Sequence, residues 1–205
     1  MVVNSNLPSP PAANKPDQIK KWIRINFLSS YLKNIDKRKI TLDLGCGWGF
    51  SFEINSNFYG VELDANCVNF CVEKGYKVKQ GNILDPLPYP ENFFDVCFCH
   101  DVLEHFPLSD VDRIFQNVHK ILKNGGEFLL ITPHLKGFNF GVEINNGHIH
   151  YIIPGEIKTI AENNGYKYLS HSSVPFPKFI NEFFTHGKYL TRTVKEGLIP
   201  SESNK

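Results

Sequence analysis

The sequence predicts a single doubly wound α/β domain, with a mostly parallel seven-stranded sheet whose last strand runs antiparallel. Three observations carry this reading. Short apolar runs alternate with amphipathic segments along most of the chain, the pattern of βαβ units. The first apolar run ends in a turn with glycines spaced two apart, "TLDLGCGWGF". The 205 residues, 41% of them hydrophobic, are enough for one sizeable core.

The leader "NLPSPPAANKP" holds too much proline for a lasting helix, so Met1 to Pro16 reads as a flexible arm. "DQIKKWIRINFLSSYLKNI" has a mostly helical apolar spacing behind a candidate cap, Asp17, and opens the domain proper, residues 17–199. Strands are expected at "ITLDL", "FYGVEL", "YKVKQ", "FDVCFCH", "EFLLIT", "YKYLSHS" and "KYLTRTV". Helices are expected at "ANCVNFCVEKG", "SDVDRIFQNVHKILKNGG" and "PGEIKTIAENNG", each ending near Gly or Asn. Only "FSFEINSNFY" lies between Gly49 and Gly60, so the helix after the glycine turn must be short. The connection His134 to Ile153 is long for such a unit and reads as a lid over an acceptor, with Phe138 and Phe140 for contact and Gly137, Gly141 and Gly147 for flexibility. The aromatic stretch 176–184 points to no single role, and "PSESNK", 200–205, reads as a frayed tail.

Composition gives no overall support to several classes of partner, though a local charged patch stays open. The 22 basic and 21 acidic side chains nearly cancel, so no overall field favours nucleic acid or an anionic membrane. No apolar run is long enough to span a bilayer. The cysteines, Cys46, Cys67, Cys71, Cys97 and Cys99, are odd in number and form no CxxC pair, which suits reduced core thiols in a cytoplasmic protein.

The glycine turn narrows the ligand. A dinucleotide fingerprint needs a small third residue where this chain has Phe50, and Asp43 would repel a pyrophosphate. A nucleoside with a cationic amino group and no phosphate suits the turn better, and S-adenosylmethionine is such a ligand. From about Ile40 to Leu169 the sequence resembles the class I S-adenosylmethionine-dependent methyltransferases, Rossmann-like enzymes. "LDLGCGWG" resembles their first motif, "YGVELD" the end of the second strand and "QGNILD" the third-strand motif. "PYPENFFDVCFCHDVLEHF", "ILKNGGEFLLITP" and "HIHYIIPGEIKTIAENNGYKYL" resemble the segments that follow.

The resemblance implies S-adenosylmethionine as cofactor and S-adenosylhomocysteine as product. It assigns Asp43, Gly45, Cys46 and Gly47 to the cofactor turn and Glu62 to both ribose hydroxyls. Leu63 and Ile83 belong to the same site, and His100 lines its methionyl end. Asn82 stands where the family usually has Asp; its carbonyl can accept the bond from the adenine amino group, while its NH2 can also donate.

Methyl transfer from a sulfonium is an in-line displacement by an activated reagent, so the protein's share is positioning and dehydration. A hydroxyl acceptor also needs a base or a metal, whereas a carboxylate needs neither. His105, His148 and His150 are the candidate proton acceptors; His148 and His150 equally suit ordinary hydrogen bonding. In "HDVLEHF", Asp101, Glu104 and His105 would share a face if the turn were α-helical, a cluster resembling the metal sites of some RNA and quinone O-methyltransferases. The expected activity is O-methylation of a small-molecule or glycan-like acceptor. Carboxyl methylation and a noncatalytic cofactor-binding module are the alternatives.

Overall fold

The computed structural model describes residues 15–133, 149–150, 152–174 and 188–197. Residues 1–14 of the arm, most of the 134–153 connection, the 176–184 stretch and the tail lie outside these residues.

Helix α1, Lys15–Leu32, leads to β1, Thr41–Leu44. The short crossover compresses the next helix into a 3-10 turn, Phe50–Glu53, before β2, Tyr59–Glu62. Then come α2, Ala65–Glu73, and β3, Lys77–Gln80. β4, Phe94–His100, ends in a second 3-10 turn, Leu103–His105, before α3, Leu108–Ile121. β5 spans Leu122–Pro133, α4 Pro154–Asn163, β6 Tyr166–Val174 and β7 Lys188–Lys195.

The sheet order is β3-β2-β1-β4-β5-β7-β6. β7 runs antiparallel to both neighbours, β5 and β6, and the other strand pairs are parallel. Alternate side chains divide the core between the two faces. Leu42, Leu44, Cys97, Cys99, Phe128 and Leu130 pack with α3 and α4. Val96, Phe98, Leu129 and Ile131 pack with α1 and with Cys71 of α2.

Two boundaries differ from expectation: α1 already includes Lys15 and Pro16, so Asp17 lies inside the helix and not at its cap, and α3 ends early. "KILKNGG" was expected to end a helix, yet α3 stops at Ile121 and Leu122 already pairs with Phe94. The register then jumps to Val96 opposite Glu127, so the residues between bulge out, with Gly125 at φ 76°. At that end of the sheet Lys195 of β7 turns its ammonium inward, donating to the carbonyls of His119 and Leu122 and to Asn92 Oδ1. It thereby satisfies carbonyls that the end of α3 would leave open. Among the described residues, no helix is long and apolar enough to cross a membrane.

Candidate cofactor and acceptor site

The winding of the sheet reverses between β1 and β4, and in open α/β sheets ligands bind beyond the carboxyl ends of strands at that point. The glycine turn lies there. Gly45, Gly47 and Gly49 have φ of 77°, 51° and 74°, a region in which side chains with a Cβ are strained. Gly45 is also confined by Val102, whose Cγ2 would stand 2.7 Å from an added Cβ, whereas around Gly47 there is no atom within 4 Å of that position. The N–H groups of Gly45 and Cys46 both donate to Val61 O, tying the turn to β2.

Glu62 locks this junction. Its Oε2 accepts the Gly47 N–H at 2.8 Å, and its Oε1 accepts the N–H groups of Leu63 at 2.7 Å and Asp64 at 2.9 Å. One carboxylate thus fixes the ends of β1 and β2 relative to each other. Beneath it, buried Asp43 accepts a hydrogen bond from Ser51 of the first 3-10 turn. Burial pushes the Asp43 carboxyl up to about 7, against the Ser51 bond and with the added repulsion of Glu62.

The neighbouring wall combines an apolar edge with a braced loop. Leu63 is 44% exposed although its neighbours Val61 and Glu62 are buried, and Ile83 is buried. Asn82 Oδ1 accepts the Leu84 N–H at 3.0 Å, a turn bond that accompanies any role toward a ligand. Asn117 of α3, absent from the sequence-based assignment, donates to Ile83 O and Asp85 O. Its signal was an amide inside the apolar stripe of α3, between Ile114 and Val118. Ser51 was missed too, for it lies in a turn with no motif of its own.

The end of β4 forms the third side. His100 Nε2 lies 3.2 Å from Asp101 Oδ2, and the His100 ring is 5.7 Å from that of Phe27 on α1. Asp101 has φ 53°, rare for a residue with a side chain. The condition for grouping Asp101, Glu104 and His105 on one face, an α-helical turn, is not met. The turn is 3-10, so successive side chains diverge by about 120°: Glu104 is 1% exposed and His105 is exposed. Among the described residues there is no group of three His, Cys, Asp or Glu side chains that could hold a metal ion. Glu104 O accepts the N–H of Ile149 at 2.8 Å and that of His150 at 3.3 Å, bringing the second histidine segment against the end of β4. His150 Nε2 lies 3.0 Å from Glu156 Oε2 at the start of α4. His134 and His148 lie outside the described residues.

Comparisons with known proteins bear on the family. A family model for a methyltransferase domain matches residues 42–130. MJ0638, an uncharacterized protein of Methanocaldococcus jannaschii, is 30% identical over 178 residues, covering 79% of this chain and 75% of that protein. A ubiquinone biosynthesis O-methyltransferase of Coxiella burnetii is 25% identical over 199 residues, covering 85% of this chain and 82% of that enzyme. The crystal structure of a SAM dependent methyltransferase from Archaeoglobus fulgidus superposes with a TM-score of 0.71 at 16% identity, covering 85% of this chain and 94% of that one. The chain belongs to the class I S-adenosylmethionine-dependent methyltransferases.

The cofactor of the methyltransferase is therefore S-adenosylmethionine, and the site's chemistry fits it. The open backbone at Gly47 allows close approach. Glu62 presents a fixed carboxylate, the half-exposed Leu63 offers an apolar edge, and buried Asp43 supplies a carboxyl whose ionised form a neighbouring cationic amino group would favour. Three of the roughly four lone-pair sites of Glu62 are already taken by backbone donors, which leaves about one for a further donor.

Proposed function

We propose that the methyltransferase methylates a hydroxyl group of a small-molecule or glycan-like acceptor, with His150 as proton acceptor. In this reading Asp43, Gly45, Cys46, Gly47, Glu62, Leu63, Asn82 and Ile83 hold the cofactor, and His100 flanks its methionyl end. The observation that carries the hydroxyl acceptor is the His150 and Glu156 pair, an imidazole oriented by a carboxylate and fastened beside the end of β4. Such a pair is the arrangement a weakly acidic O–H requires and a carboxylate acceptor does not. The O-methyltransferase among the relatives supports the same class of acceptor. The near-balance of charge gives no electrostatic footprint for nucleic acid.

Bound at this site, the cofactor supplies an activated methyl group and a neutral thioether leaving group. The chain's residues hold the acceptor oxygen in line, exclude water and accept the proton. Incubation with methyl-labelled S-adenosylmethionine and a panel of catechols, phenols, glycosides and carboxylic acids tests the reading. Base-stable label in hydroxyl compounds is expected, and His150→Gln lowers kcat by about a hundredfold or more with S-adenosylhomocysteine affinity unchanged. Label that mild alkali releases as methanol, with turnover untouched in His150→Gln, overturns it in favour of a carboxyl acceptor.

A further inference from the structure

The His150 ring is gripped from a different part of the chain than its backbone. The backbone hangs from Glu104 O beyond β4, while Nε2 meets Glu156 Oε2 in the first turn of α4. The same Glu156 oxygen accepts the Ile153 N–H at 3.0 Å, so the carboxylate is itself anchored by the helix it helps to start. Partial burial alone would raise the Glu156 pKa, but the Ile153 N–H and His150 outweigh it and hold the group below its ordinary value. Glu156 is therefore an ionised, acceptor-only group. Nε2 must then carry the hydrogen of this bond, which leaves the lone pair of the neutral ring on Nδ1. Among the described residues Nδ1 makes no hydrogen bond, and the His150 side chain keeps 36% of its surface exposed.

We propose that Glu156 is a positioning residue that fixes His150 as the Nε2–H tautomer, and that Nδ1 is the atom that receives the acceptor's proton. The proposal rests on the hydroxyl-acceptor reading above. In the step, the acceptor O–H bond breaks and its proton moves to Nδ1, the oxygen forms the new bond to the methyl carbon, and the carbon–sulfur electron pair returns to sulfur. The products are the methyl ether, S-adenosylhomocysteine and an imidazolium whose charge faces the Glu156 carboxylate.

Histidine-selective nitrogen-15 NMR on the full chain, with His150 assigned by its disappearance in His150→Gln, reads the tautomer without any acceptor. At about pH 8, where imidazole is neutral, wild type should show protonated Nε2 and unprotonated Nδ1. Glu156→Ala should give an exchange-averaged ring and lower kcat about tenfold or more at unchanged acceptor KM. Glu156→Gln keeps an acceptor for the Ile153 N–H and should fall between the two, which guards against a variant that fails to fold. A wild-type ring protonated on Nδ1, or a Glu156→Ala variant with unchanged spectrum and kcat, overturns the proposal. A mixed tautomer with His150→Gln inactive removes Glu156 alone. A fixed tautomer with His150→Gln fully active removes the hydroxyl-acceptor reading and the Nδ1 role with it.

Discussion

Replacing Glu62 by Gln tests whether one carboxylate both holds the cofactor turn together and receives the ribose. The substitution preserves shape but exchanges one acceptor oxygen for an NH2 donor. The amide oxygen does best opposite Leu63 and Asp64, where it keeps two bonds, and this places the NH2 against the Gly47 N–H. One hydrogen bond to a charged acceptor is lost in a buried setting, worth about 1.5–3 kcal/mol of folding stability. The ribose would lose a charged acceptor at the same time, and a comparable energy weakens S-adenosylhomocysteine by about tenfold to a hundredfold. Urea unfolding without ligand reads the first effect and titration calorimetry the second. If stability falls but affinity does not, Glu62 serves the turn alone. If neither moves, the reasoning about both roles is wrong.

Three further substitutions probe buried polar groups. The Asp43 carboxyl is raised in the folded state, so it favours the protonated form, and its contribution to stability is full below about 3.8 and lost as pH rises through about 7. The stability of wild type measured against Asp43→Asn should therefore decline between those values; a difference that is flat or grows with pH contradicts the burial argument. The hydroxyls of Thr132 and Thr191 are buried with no hydrogen-bond partner among the described residues. Valine has their shape without the unsatisfied group, so Thr132→Val and Thr191→Val should each raise the free energy of unfolding by about 1 kcal/mol. A lower urea midpoint would reveal a bond that the hydroxyl makes.

Features set by neighbours in sequence were legible, and those set by partners far along the chain were not. The run "FDVCFCH" coincides with β4 because a strand buried on both faces is a continuous apolar run. Glu62 was singled out through the resemblance of "YGVELD" to a family motif, and the structure places its carboxylate against the Gly47 N–H of the glycine turn. Asn117 was hidden because the carbonyls it holds lie 34 and 32 residues earlier. The Asp101, Glu104 and His105 grouping assumed α-helical spacing. The left-handed backbone at Asp101 and the 3-10 turn that follows broke that assumption. The strand start at Leu122 depends on pairing with Phe94 across the sheet, which no local pattern of "KILKNGG" encodes.

The insertion of β7 between β5 and β6 has a consequence for the order of assembly. Strands β1 to β5 can pair as they appear, and the cofactor turn, with its Glu62 lock, is complete among them. β6 has β7 as its only strand neighbour among the described residues, so it stays unpaired until the last strand has been made. A chain shortened before residue 188 would retain its cofactor turn but expose two open strand edges, on β5 and β6, of the kind that recruits other chains into aggregates. It would also lose Lys195, which closes the end of α3. In this sheet β7 covers strand edges that would otherwise be open to other chains, while the glycine turn and its Glu62 lock are complete without it.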